Sequence, residues 1–332
     1  MSGFVDIKAR VLDFLKCLDR AAPGDETAQV CAAALKDDHS YAGVHPFNEL
    51  SGAKVLADTV YSPMKAALGP WQRRLDMVIA GTHHCKGGGP VRVVVMGHLW
   101  GDFTRELLGI PPTGKAVYLP FVSFFLVDGS KIVETVEFFD ILALMTQAGC
   151  NPLAEFQTAA QIMSPGPYSH DGVILGTADQ TETARTFKLA NTMLVELAET
   201  MTSPSDHMQR YWHSNMNWFG PAGIGACHGF AGYRRGHTGP FEEHLEFVDY
   251  IPEQFATAEG KFAAFLWRPC LRMRNIKRYM GAPASEFAAE MRVVDLYHRD
   301  GDKLAENWIF IDMLHFLKQQ GLDLLEDIGG MP

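Results

Sequence analysis

Apolar residues recur at helical spacing over Thr27 to Leu35 and Ala53 to Ala67, and at strand-like spacing over Met77 to Gly81, Val91 to Leu99 and Ala116 to Val127. Asp128-Gly129-Ser130 then turns the chain. Lys131 to Phe139 sets Val133, Thr135 and Glu137 on one side and Glu134, Val136 and Phe138 on the other, the alternation of a half-buried strand. A helix is predicted from Asp140 to Gly149. Further on, Arg185 to Met201 reads as a strong helix, His207 to Phe219 leads into a Gly-Pro loop, and Phe241 to His244 approaches a sheet. Strands follow at Phe262 to Met273, Glu286 to His298 and Lys303 to Ile311. Helices first and a long-stranded, curved antiparallel sheet afterwards give the α+β class.

The second set of elements repeats the first. At an offset of 172 (312 minus 140), Leu108-Gly109-Ile110-Pro111-Pro112-Thr113 falls on Met280-Gly281-Ala282-Pro283-Ala284-Ser285, Asp128-Gly129 on Asp300-Gly301, and Gln147 and Gly149 on Gln319 and Gly321. Upstream, Tyr41-Ala42-Gly43 falls on Trp218-Phe219-Gly220 at an offset of 177 (218 minus 41). A duplicated domain follows: 1–150, a Pro-, Gly- and Ser-rich connector over 151–182, and a second copy over 183–332.

At 332 residues and 47% hydrophobic, the chain is long enough for two well-filled cores. A net charge of -10 without a block of like charges speaks against a nucleic-acid surface. The apolar runs are too short to cross a bilayer. Cys17, Cys31, Cys85, Cys150, Cys227 and Cys270 are scattered, and no export leader opens the chain, so a reducing cytoplasm is expected. His83-His84-Cys85 with His98 is a poor metal set, because adjacent histidines on a strand point apart. No metal and no cofactor are expected.

Gly109-Ile110-Pro111-Pro112-Thr113-Gly114-Lys115, Asp128-Gly129-Ser130-Lys131-Ile132-Val133-Glu134 and Asp140 through Gln147-Ala148-Gly149 resemble the SnoaL-like polyketide cyclase group of the nuclear transport factor 2-like superfamily, and the second copy carries weaker versions of the same runs. The resemblance implies two cystatin-like cones, each a bent antiparallel sheet wrapped on short helices around an apolar pocket. It also implies sheet faces used for pairing, here between the two copies as an internal pseudo-dimer, with association of two chains left open. In cyclases of this family an Asp at the matching position is acid and base in an aldol closure, which by resemblance gives that role to Asp312 and Asp140. His298 is matched to a family His on a neighbouring strand.

Asp140 and Asp312 share side-chain parity with Glu134, Val136, Phe138 and with Glu306, Trp308, Phe310. If that face looks into the cone, an apolar pocket raises the carboxyl pKa towards that of a working general base. Each also stands where an N-cap would stand, and both readings remain open. A two-residue turn at Asp300-Gly301 puts His298 on the face opposite Asp312; a three-residue turn puts it on the same face. Trp218, Trp308, Trp267 and Tyr41 are candidate pocket walls, Arg272 or Arg292 a candidate clamp for a carboxylate or enolate, Trp100 the first copy's counterpart of Arg272, and His98, within an apolar strand, either a pocket residue or a satisfied core histidine. The second copy is the chemically busier one.

Two functions are compatible with these residues. One is a cofactor-free cyclase, isomerase or lyase acting by Asp acid/base catalysis on a small apolar or aromatic carbonyl compound. The other is a non-catalytic small-molecule-binding or assembly module of the same fold.

Overall fold

The protein is seen as a computed structural model that describes residues 4–84, 87–156, 159, 164–200, 205–326 and 328. Cys85, Met201 and most of 157–163 in the connector lie outside the described residues. Two compact units emerge, one from 1–150, 165–177 and 325–332, the other from 151–164 and 178–324. The connector is therefore shared between them: Val173 bridges to Val78, and Lys8 donates to the Ile174 carbonyl at 2.7 Å within the first unit.

In the first unit, α1 (Val5–Arg20) turns Val11, Phe14, Leu15 and Leu18 inward, the stripe of an amphipathic helix. It is followed by α2 (Asp25–Ala34), β1 (Leu35–Gly43), β2 (Glu49–Ser51), α3 (Ala53–Leu56), a π-helical turn at Ala57–Tyr61 and α4 (Ser62–Leu68). The sheet is completed by β3 (Gln72–Gly81), β4 (Arg92–Asp102), β5 (Ala116–Asp128) and β6 (Lys131–Phe139), and α5 (Ile141–Gln147) closes the unit. Strand order is β2-β1-β6-β5-β4-β3. The sheet is antiparallel except where β1 runs parallel to β6. Gly97 is fixed by close approach at the bend, since a Cβ there would stand 1.9 Å from the Arg74 carbonyl oxygen, beside the bulge between Leu75 and Met77.

The second unit repeats this build with α6 (Gln180–Thr200), α7 (Ser205–Tyr211), β7 (Trp212–Phe219), β8 (Ala226–His228), α8 (Gly229–Tyr233), a π-helical turn at Arg234–Thr238 and α9 (Gly239–His244). Next come β9 (Leu245–Tyr250), β10 (Phe255–Glu259), β11 (Phe262–Asn275), β12 (Ala288–Asp300), β13 (Lys303–Ile311) and α10 (Met313–Gln319). The order β10-β11-β12-β13-β7-β8 matches the first unit, again with one parallel pair, β13 with β7. Where the first unit has β3, the second has two shorter strands, β9 and β10, both paired to β11. The π-helical turns coincide at the offset of 177 (234 minus 57). Both units are bent mixed sheets closed by short helices, an α+β fold.

Candidate functional site

The β12–β13 hairpin decides what faces the interior of the second unit. Its turn has two residues, and Gly301 supplies the left-handed φ of 58° that the turn requires. A bulge between His298 and Arg299 then shifts the pairing by one, so that His298 lies opposite Glu306 while Tyr297 lies opposite Asn307 and Asp295 opposite Ile309. Asp295, Tyr297, Asn307, Ile309 and Ile311 thus share one face, and all five line a cavity of about 460 Å³. That volume lies within the range of about 300–1,000 Å³ typical of small-molecule sites.

The cavity walls are aromatic: Trp212, Trp218, Tyr233, Phe241, Tyr250 and Trp267. Trp267 donates through Nε1 to the Tyr250 hydroxyl at 3.3 Å, which holds its ring upright. Among the described residues that line the cavity none is Lys or Arg. At one end Asp295 accepts a hydrogen bond from Asn307 Nδ2 at 3.0 Å. Burial pushes its carboxyl up to about 7, against the opposing pull of hydrogen bonds from Asn307 and Tyr297. Burial and the neighbouring Asp295 hold the Tyr297 phenol well above its ordinary range. From the π-helical turn comes His237, whose ring stacks on Trp218 at a centroid distance of 4.2 Å. Burial pushes this imidazole down to about 3, so it is neutral at physiological pH.

The first unit differs at these positions. Ser123 stands where the second unit has Asp295 (295 minus 172), and its Oγ donates at 2.6 Å to Glu137, which pairs with it across the strands. Burial raises the Glu137 carboxyl, while Ser123, Arg73, Tyr61 and Tyr41 pull the other way. This acid is 1% exposed.

Residues 85–148, from within the β3–β4 connection through α5, match the family model described as SnoaL-like polyketide cyclase. This stretch of the first unit is similar to that family. No curated protein matches the chain in sequence. Solved structures similar to it include a putative hydroxylase, AclR, from Streptomyces galilaeus, with 18% identity over 44% of this chain and 98% of the other, at a TM-score of 0.36. A putative SnoaL-like polyketide cyclase from Jannaschia sp. CCS1 gives 20% identity over 42% of this chain and 90% of the other, at 0.33. A protein of ketosteroid isomerase-like fold from Catenulispora acidiphila, solved with trimethylamine, gives 12% identity over 41% and 92%, at 0.30.

The positions singled out from sequence separate into two groups. Trp218 and Trp267 line the cavity. Trp308 does not: it lies on the opposite face of β13 and stacks on Phe219 at 5.7 Å. His298 shares that opposite face, in a buried pair with Glu306 at 2.8 Å and stacked on Phe262. The expected parity is thus corrected, because the inward face is that of Asn307 and Ile309. Asp312 caps α10, accepting from the His315 amide at 3.1 Å, and its other oxygen meets Arg292 at 3.2 Å. Asp140 caps α5 through the Ala143 amide at 3.0 Å. Arg272 is exposed on Glu290 at 2.9 Å, outside the cavity lining. In the first unit Tyr41 is buried beside Glu137, His98 faces Asp76 at 3.4 Å, and Trp100 is 45% exposed.

Because Asp312 satisfies the free His315 amide of α10, Asp312→Ala should lower the stability of the second unit by at least about 1–2 kcal/mol, while Asp312→Asn, which keeps the cap and loses the charge on Arg292, should lower it less. Chemical denaturation of the two variants checks this. A folded Asp312→Asn protein that has lost turnover would return that carboxylate to the chemistry.

Asp295, Asn307 and His237 were missed in the sequence. Asp295 did carry a signal, as the lone acid in the apolar run Val293-Val294-Asp295-Leu296-Tyr297. His237 carried none, because its place depends on a π-helical turn.

Proposed function

We propose that the second unit is a cofactor-free acid/base site for an uncharged small carbonyl compound, with Asp295 as the group that takes and returns a proton at the carbon next to the carbonyl. The single observation behind this reading is a buried carboxyl, Asp295, which burial pushes up to about 7, in the lining of an apolar cavity walled by aromatic rings and aliphatic side chains. A base is most useful when its pKa lies near the working pH. Asn307 and Tyr297 orient the carboxyl. Trp218 and Trp267 offer flat faces to a ring. Among the described residues that line it the cavity has no Lys or Arg for a substrate carboxylate, which favours neutral ligands. The isomerase, cyclase and lyase variants of this chemistry share the proton-abstraction step. In this reading Asp140 and Asp312 are helix caps, and the first unit is scaffold.

The test is exchange of the α C–H of 2-tetralone, a flat neutral ketone, in deuterated buffer followed by proton NMR. Exchange should rise with pH as Asp295 ionises and reach half its plateau near pH 7. Exchange no faster than in buffer, or level between about pH 5 and about pH 9, would overturn the reading.

A further inference from the structure

His237 lies on the wall formed by the helices, and its surroundings are constructed around it. Its ring is stacked on Trp218 and flanked by Tyr233 at 5.3 Å and Phe241 at 5.0 Å. Gly236 sets the turn in place, since a Cβ there would come within 2.7 Å of Cys227 Sγ. Among the described residues the Nδ1 atom is buried with no hydrogen-bond partner, although the ring borders the cavity. A buried polar atom in that state costs free energy unless something satisfies it. The aromatic neighbours offer ring faces, and a cavity ligand is what can supply the missing bond.

Tyr297 lies within electrostatic reach of both Asp295 and Tyr233, and Tyr233 abuts His237. In the first unit Val60 replaces His237 (237 minus 177) just as Ser123 replaces Asp295, so the two groups are present together in one unit and absent together from the other.

We infer that His237 is the second catalytic residue of this site, its ring N–H donating a hydrogen bond to the substrate's carbonyl oxygen as Asp295 removes the neighbouring proton. This rests on the acid/base reading of the cavity. The C–H electron pair becomes the new C=C bond, the carbonyl π pair moves to oxygen, and the proton resides on Asp295. The charge that leaves Asp295 is then held on oxygen by the imidazole N–H. Return of the proton to carbon regenerates both groups. A neutral imidazole suits the task because it always keeps one N–H donor.

The test compares His237→Phe, which keeps the ring on Trp218 and loses the donor, with His237→Gln, which keeps a donor, and with Asp295→Asn. Exchange of 2-tetralone in His237→Phe should fall about 10²–10³-fold in kcat with KM within about threefold of native, and His237→Gln should recover most of the loss. Binding of 2-naphthol, an aromatic enol whose oxygen stands in for the enolate, should weaken at least about tenfold in His237→Phe and stay near native in His237→Gln. Native exchange and native 2-naphthol affinity in a folded His237→Phe protein would overturn the role of His237, whatever Asp295→Asn does. Unchanged exchange in Asp295→Asn would instead overturn the acid/base reading on which it rests.

Discussion

Replacing Asp295 by Asn is expected to abolish proton exchange, by about 10²–10⁴-fold, and at the same time to make the second unit more stable above neutral pH. The amide has nearly the same shape and still offers an oxygen to Asn307 Nδ2, so packing persists. The stability change follows from linkage. The carboxyl's pKa is 3.8 when unperturbed and about 7 in the folded protein, so between these values the native state holds a proton that the unfolded chain has released. Stability therefore falls as pH rises from about 4 to about 7 and stays reduced above. A shift of this size corresponds to something of the order of 4 kcal/mol at alkaline pH. Melting curves of native protein and Asp295→Asn across this window should converge in acid and separate in base, with the variant higher. A variant less stable than native at alkaline pH would show that the carboxylate form is the one the fold accommodates.

Trp218→Ala is expected to have the largest effect on stability. The ring is 1% exposed, stacks on His237 and meets Tyr233 edge-on at 5.7 Å, so its removal opens a hole that rigid strands cannot close. Large aromatic deletions of this kind cost about 3–5 kcal/mol. For a unit of this size that lowers the melting transition by roughly 6–20 °C. Loss of the wall should also remove 2-tetralone binding. Trp100→Ala, at a residue 45% exposed in the first unit, should change stability by less than about 0.5 kcal/mol. Equal effects of the two changes would contradict the packing described for the second unit.

Periodicity and the internal repeat made the fold legible, because strands such as Ala116 to Val127 and the hairpins at Asp128-Gly129 and Asp300-Gly301 are local features. The helix Val5–Arg20 and the strand Leu35–Gly43 were not predicted: the helix carries charge on most of its surface, and the strand reads Lys-Asp-Asp-His before its apolar end. Which face looks inward was not legible either. One bulge at His298/Arg299 separates the turn's register from the register further along the strands, and that single residue puts His298 on the face of Trp308 and Asp295 on that of Asn307. Parity counted backwards from Asp312 cannot detect it. The aromatic walls were partly found, as Trp218 and Trp267, since large rings at strand positions stand out without any register. His237 was hidden for a different reason: its position comes from the π-helical turn at Arg234–Thr238, in which the usual helical spacing does not apply.

The most direct measurement is a ¹³C titration of the aspartate carboxyls, with the Asp295 resonance assigned by its disappearance in Asp295→Asn. A midpoint near 7 is predicted. A midpoint close to the unperturbed value, about 4, would mean that the carboxyl is solvated, and the case for a base in an apolar cavity would be contradicted.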